Sequence, residues 1–266
     1  MLRKTLPTLS MSALIAFAGF AAMTRARAEN PAPPVPPAIS DDADTAVSAM
    51  QKTLSAPALS FTARTVRVYL DQAGQPLHIF HTMKVVVRAP DRVKIQVTGD
   101  DGSNELSYDG NSVSIFSPDR EEYALMPAPG GIESALDQVL GKLKIDFPLV
   151  NFFAVSPERS LLRGVVAGWQ VGTANIDGIE CRHLLFIKRG GTELELWVEK
   201  NEAALPHRLI VTYRLLPGQP SFIAEFTNWD NRVRPADSVF AFQAPSKAKQ
   251  IDLTPAVAPG QQGSVR

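Results

Sequence analysis

From Leu59 to Thr227 the chain mostly alternates apolar and polar residues, the period-two signature of strands with one dry and one wet face. In Val93–Thr98, Val93, Ile95 and Val97 alternate with Lys94, Gln96 and Thr98. In Thr192–Glu199, Leu194, Leu196 and Val198 face one way, and Glu193, Glu195, Trp197 and Glu199 the other. The same logic predicts strands over 59–70, 77–88, 105–108, 113–117, 122–126, 168–176, 180–188, 208–214 and 222–227. Turn chemistry separates them: Asp71–Pro76, Ala89-Pro90-Asp91, Asp109-Gly110, Asp177-Gly178 and Gly190-Gly191.

Two places break this rhythm. Asp41–Leu54 places Val47, Met50 and Leu54 on one helical face, with Ser40 as the expected cap and three aspartates near the positive helix start. In the middle, Ile132, Leu136, Val139, Leu140 and Leu143 recur at helical spacing. Asp146 is placed to cap a short helix over Phe147–Phe153, and Ser156-Pro157 to open a third reaching Arg163.

The connections are too short for parallel crossovers, so the sheet is antiparallel. An open sheet of about ten strands must curl or split, and one wet face excludes a double-sided core. The expected fold is mainly antiparallel β (α+β): a curved, incomplete β-barrel with helices covering its concave face.

The ends read differently. Arg3 and Lys4, an apolar run over 11–23 and Ala26-Arg27-Ala28 follow the logic of an export signal, with cleavage after Ala28. The run is too short to span a bilayer. Residues 29–39 are a Pro-rich linker. Residues 40–252 form the expected single domain, and 253–266 a loose tail.

With 27 basic and 27 acidic residues the formal net charge is zero, which argues against a nucleic-acid partner held by a broad basic face. A single cysteine, Cys181, excludes a disulfide scaffold and a multi-cysteine zinc site. His78 and His81 lie three apart on a strand, on opposite faces, so they share no metal. Cys181 and His183 share a face, but same-strand neighbours rarely aim their polar ends together. No nucleophile elbow, phosphate loop or dinucleotide fingerprint is present. No catalytic residue, metal or cofactor is therefore expected, and the chain reads as a non-enzyme. Trp197, among glutamates on the wet face, is a candidate docking aromatic.

Several stretches resemble a bacterial domain-of-unknown-function family of predicted periplasmic proteins. They are 89–95 (APDRVKI), 106–137 (LSYDGNSVSIFSPDREEYALMPAPGGIESALD), 176–186 (IDGIECRHLLF), 194–214 (LELWVEKNEAALPHRLIVTYR) and 226–230 (FTNWD). That family is in turn similar to the LolA/LolB/LppX-like superfamily of lipoprotein carriers. The resemblance implies a LolA-like half-barrel whose cavity holds acyl chains, a periplasmic location, and lipid or lipidated protein as partner. No lipobox cysteine is present. The dry face supplies the candidate cavity lining: Met83, Val85, Val87, Val93, Ile95, Val97, Leu106 and Tyr108 from the first half, and Leu194, Leu196, Val198, Leu209, Val211, Tyr213, Phe222 and Phe226 from the second. The helices add Leu136, Val139, Leu140, Phe152 and Phe153. The alternative expectation is an envelope protein-interaction or sensor module without small-molecule cargo.

Overall fold

The computed structural model describes residues 38–144, 147–152 and 161–253. The expected signal segment, nearly all of the Pro-rich linker, most of the third short helix and nearly all of the tail lie outside the described residues.

The chain forms one 12-stranded sheet. After helix α1 (Asp41–Leu54) come β1 (Ala58–Leu70), β2 (Pro76–Arg88), β3 (Arg92–Gly99), β4 (Gly102–Tyr108), β5 (Ser112–Ser117) and β6 (Glu122–Pro127). Helix α2 (Ile132–Leu143) and a single 3-10 turn (Pro148–Phe152) follow. Then come β7 (Val165–Ile176), β8 (Ile179–Lys188), β9 (Thr192–Glu199), β10 (Pro206–Tyr213), β11 (Ser221–Asp230) and the two-residue β12 (Lys249–Gln250).

The strand order is β12-β6-β5-β4-β3-β2-β1-β11-β10-β9-β8-β7, two meanders joined where β1 meets β11. Every pairing is antiparallel except β12 with β6, which is parallel. That exception was not expected. It is possible because residues 231–248 form a long connection back to the far edge. The β1–β2 hairpin is the spine, paired without a break from Ala58↔Arg88 to Leu70↔Pro76.

Alternation puts one face of nearly every strand into a common apolar cluster. On β1 these residues are Leu59, Phe61 and Ala63; on β11 they are Phe222, Ala224 and Phe226. Phe226 packs edge-on to Phe61, with ring centroids 5.8 Å apart, and lies 5.3 Å from Phe152 of the 3-10 turn. Three elements cover this face. Helix α1 contributes Val47, Met50 and Leu54, α2 contributes Ile132, Leu136 and Val139, and the turn contributes Leu149 and Phe152. The helices lie where the sequence places them because only their apolar stripes can cover the sheet's one dry face.

Ser40 occupies the cap position of α1, but its hydroxyl makes no capping bond. Its backbone is used instead. Ser40 N–H donates to Gly168 O at 2.9 Å, and Gly168 N–H donates to Ala38 O at 2.8 Å. This pins the helix start to the edge strand β7, and the hydroxyl is left buried without a hydrogen-bond partner among the described residues.

Leu196 is fully buried at the centre of the second meander. Its truncation to Ala should cost about 2–5 kcal/mol, read as a lowered urea midpoint with unchanged slope. Truncation of exposed Val171 should leave the midpoint within about 0.5 kcal/mol of wild type.

Candidate functional site

The concave face is the candidate site. Of the 21 residues expected to line it, 20 are described, and all of these belong to the apolar cluster or pack against it. Phe153 lies outside the described residues. The two surface cavities with the best-formed walls lie elsewhere. One, of about 240 Å³, sits between Ser107, Ser114 and Tyr123 and the C-terminal residues Phe240 and Phe242. The other lies by Pro57, Arg88 and Pro235. Neither is lined by any of the 20.

Burial along the concave face is graded. Val93 and Ile95 are buried while Val97 is partly exposed. Tyr108 is buried and Leu106 partly exposed; Val113 is buried and Ile115 partly exposed. Leu209 and Val211 are buried and Tyr213 partly exposed. The registers place the four partly exposed residues toward the same end of the sheet, the end of the β1–β2 turn. That end also carries exposed apolar side chains. On the β10–β11 turn, Leu215 is 75% and Leu216 52% exposed; on β2, Leu77 and Phe80 are exposed. Leu215 reaches Gly191 and Leu70 reaches Gly218 so closely that a Cβ on either glycine would collide, which brings three turns together there. The trough is closed at one end and has an apolar lip at the other.

Polar groups on the concave face concentrate near this mouth. Thr65 faces inward from β1, is 2% exposed, and its Oγ1 has no hydrogen-bond partner among the described residues. It stands opposite His81 on one side and Ala224 on the other. The His81 ring lies against Gly99, and its Nε2 is 2.7 Å from Asp101 Oδ1. Arg67, two residues beyond Thr65, holds its guanidinium 5.2 Å from the Phe222 ring and 6.0 Å from that of Tyr69. An unpaired buried hydroxyl costs about 1–3 kcal/mol. Alternation by itself did not mark these three residues as a group, because each is a single polar residue in a mixed strand.

Tyr108 has a further role. Its hydroxyl donates to Gly110 O at 3.1 Å and accepts from Gly131 N–H at 3.2 Å, while Ile132 N–H donates to Pro90 O at 3.1 Å. These bonds tether the N-terminal end of α2 at the closed end of the trough. Beyond Ile132, α2 is held to the sheet among the described residues by apolar packing.

The convex face corrects one expectation. Trp197 is only 7% exposed, so it is not an open docking aromatic. The His183 ring stacks on it at 4.0 Å and 9°, and the Arg208 guanidinium lies 5.5 Å from its centroid. His183 Nε2 is 2.9 Å from Glu195 Oε2, and Arg208 binds Glu225 Oε1 through Nε and Nη2. The charged neighbours that made this face look wet close over the indole. Cys181 is buried beneath the same network. Burial, and then the Glu199 carboxylate, push its thiol up to about 11, which keeps it protonated and unreactive at neutral pH. Among the described residues no group of three or more His, Cys, Asp or Glu side chains is placed to hold a metal ion. Nor is any helix long and apolar enough to cross a membrane.

An antiparallel sheet curved around an apolar face and covered by helices defines the class of fold. The chain belongs to the family described as predicted periplasmic protein (DUF2092), matched over residues 43–254. No curated protein matches it in sequence. Solved structures similar to it include the lipoprotein LppX of Mycobacterium tuberculosis, at 16% identity over 73% of this chain and 99% of that one, with TM-score 0.45. A LolA superfamily protein from Nitrosomonas europaea is 11% identical over 74% of this chain and 97% of its own, with TM-score 0.35. The MucA/MucB complex of Pseudomonas aeruginosa matches at 16% identity over 79% of this chain and 63% of that one, with TM-score 0.42. At these identities and scores no site or ligand transfers from them.

Native Cys181 should resist alkylation by iodoacetamide near neutral pH and react at once in denaturant. Because the folded thiol's pKa lies above its ordinary value of 9.0, at about 11, the burial contributes stability that is complete below pH 9 and is lost as pH rises through 11. A urea midpoint measured across that range should fall, and a Cys181→Ala variant should lose this component of the fall.

Proposed function

We propose that this protein is a non-enzymatic, periplasmic binder of acyl chains that holds its cargo in the concave trough, as a carrier or chaperone of lipid or lipidated protein. The observation that carries this reading is the graded burial of the concave face, from a closed apolar end to a mouth with an exposed apolar lip at Leu215 and Leu216. A core with no other task has no reason to thin out in the same direction on four strands. The reading includes export through the N-terminal segment, with removal after Ala28.

Magnitudes support an exchange of helix for cargo. The three large buried side chains of α2, Ile132, Leu136 and Val139, gain about 1.5–3 kcal/mol each from burial. A sixteen-carbon chain gains roughly 12 kcal/mol gross at about 0.8 kcal/mol per methylene, before ordering costs. The two sums are of one size. A helix tethered at its N-terminal end and packed elsewhere through apolar side chains can therefore yield its place to an acyl chain and recover it on release. The candidate lining residues supply the apolar wall, and no catalytic group takes part.

Native mass spectrometry with lipid extraction of the mature protein, and uptake of a fluorescent fatty acid, test this. The expected result is a saturable one-chain complex, weakened at least about 10-fold by Val97→Glu or Tyr213→Glu. Both residues are partly exposed at the mouth, so these variants should remain folded. No co-purified lipid and no uptake would overturn the reading. In cells, a stable protein partner retained in folded Val97→Glu would point instead to the interaction module.

A further inference from the structure

We propose that the mouth of the trough holds a head-group subsite for an acid, a carboxylate or a phosphate monoester at the end of a single acyl chain, built from Thr65 and Arg67. This rests on the acyl-chain reading and adds the polar end of the cargo.

The inference starts from Thr65. Its side chain faces the concave side, is 2% exposed, and its Oγ1 has no partner among the described residues. A hydroxyl in such a place can donate one hydrogen bond and accept others. Its flanks are Ala224, which leaves room, and His81 across the strand pair. The nearest polar group on its own strand and face is Arg67, about 7 Å further toward the mouth by strand geometry. The guanidinium is placed over Phe222, a concave residue, so its charge is presented at the lip of the trough. His81 is already engaged by Asp101 and walls the site rather than binding through its charge.

An acyl chain lying along the trough, methyl end toward the closed end, would bring its terminal polar atoms to this level. A hydroxyl that donates and an always-charged guanidinium together suit an oxyanion. A methyl ester offers only a neutral carbonyl, and an alcohol has no charge to meet Arg67. The subsite therefore distinguishes acids from esters of the same chain length, while the apolar wall treats them alike.

The test is displacement of the neutral dye Nile red from the mature protein at neutral pH. The competitors are hexadecanoic acid, hexadecyl phosphate, methyl hexadecanoate and inorganic phosphate. The acid and the alkyl phosphate should bind about 10-fold more tightly than the ester, and inorganic phosphate should not displace the dye. Thr65→Val, close in shape, and Arg67→Gln should each bring the acids down to the level of the ester without changing ester binding. Arg67→Lys should restore part of the preference. Wild type that binds acids and ester equally overturns the head-group subsite and leaves the acyl-chain reading standing. A preference for acids that survives in both folded variants also overturns it. If none of the chains displaces the dye, the acyl-chain reading itself fails. A variant that does not fold is replaced in the same assay by Arg67→Met, whose loss of acid preference is expected and whose retention of it counts against the subsite.

Discussion

Everything in this molecule follows from the burial of one side of a single sheet. Twelve strands in one layer expose two faces, and the alternation makes only one of them compatible with water. No second sheet is available to cover the other. The sheet curves, and α1, α2 and the 3-10 turn lay their apolar stripes on the concave side. The covering is fixed where backbone hydrogen bonds reach it, at Gly168 for α1 and at Pro90 and Tyr108 for α2.

This construction separates two kinds of stability. The strand ladders are continuous, and the β1–β2 spine is paired over its whole length, so the sheet is the rigid part. The cover depends on non-directional apolar contact, which another apolar body of the same size can replace. A tightly bonded cover would be more stable but could not exchange. The buried Thr65 hydroxyl fits the same division. It is a local cost to the empty protein that a suitable ligand would remove.

The convex face is organised by charge. Salt bridges such as Arg208–Glu225 and Arg214–Glu193 cross between neighbouring strands, and exposed pairs of this kind contribute little each. Their larger effect here is steric. Long charged side chains cover the Trp197 indole, and the Cys181 thiol beneath the same network stays neutral. The apolar groups left open to solvent are found at the mouth turns and along the edge strand β7 rather than at the centre of this face.

Period-two alternation and turn residues were enough to locate β1–β11, both helices and the side of each strand that would be dry, because these depend on local sterics and on the pleat. The family resemblance rested on contiguous stretches and was equally legible. Long-range geometry decided the rest. The pairing of β12 with β6 depends on where a long connection returns. The covering of Trp197 depends on His183 and Arg208 arriving from two other strands. The grouping of Thr65, Arg67 and His81 at one end, and the loss of burial toward the same end on four strands, depend on register between residues far apart in the chain. The sequence alone determined which face would seek shelter from water, since that is written in each strand separately. Only the tertiary structure decided which end of that shelter stays open, since an opening is a property of how strand ends and turns come together.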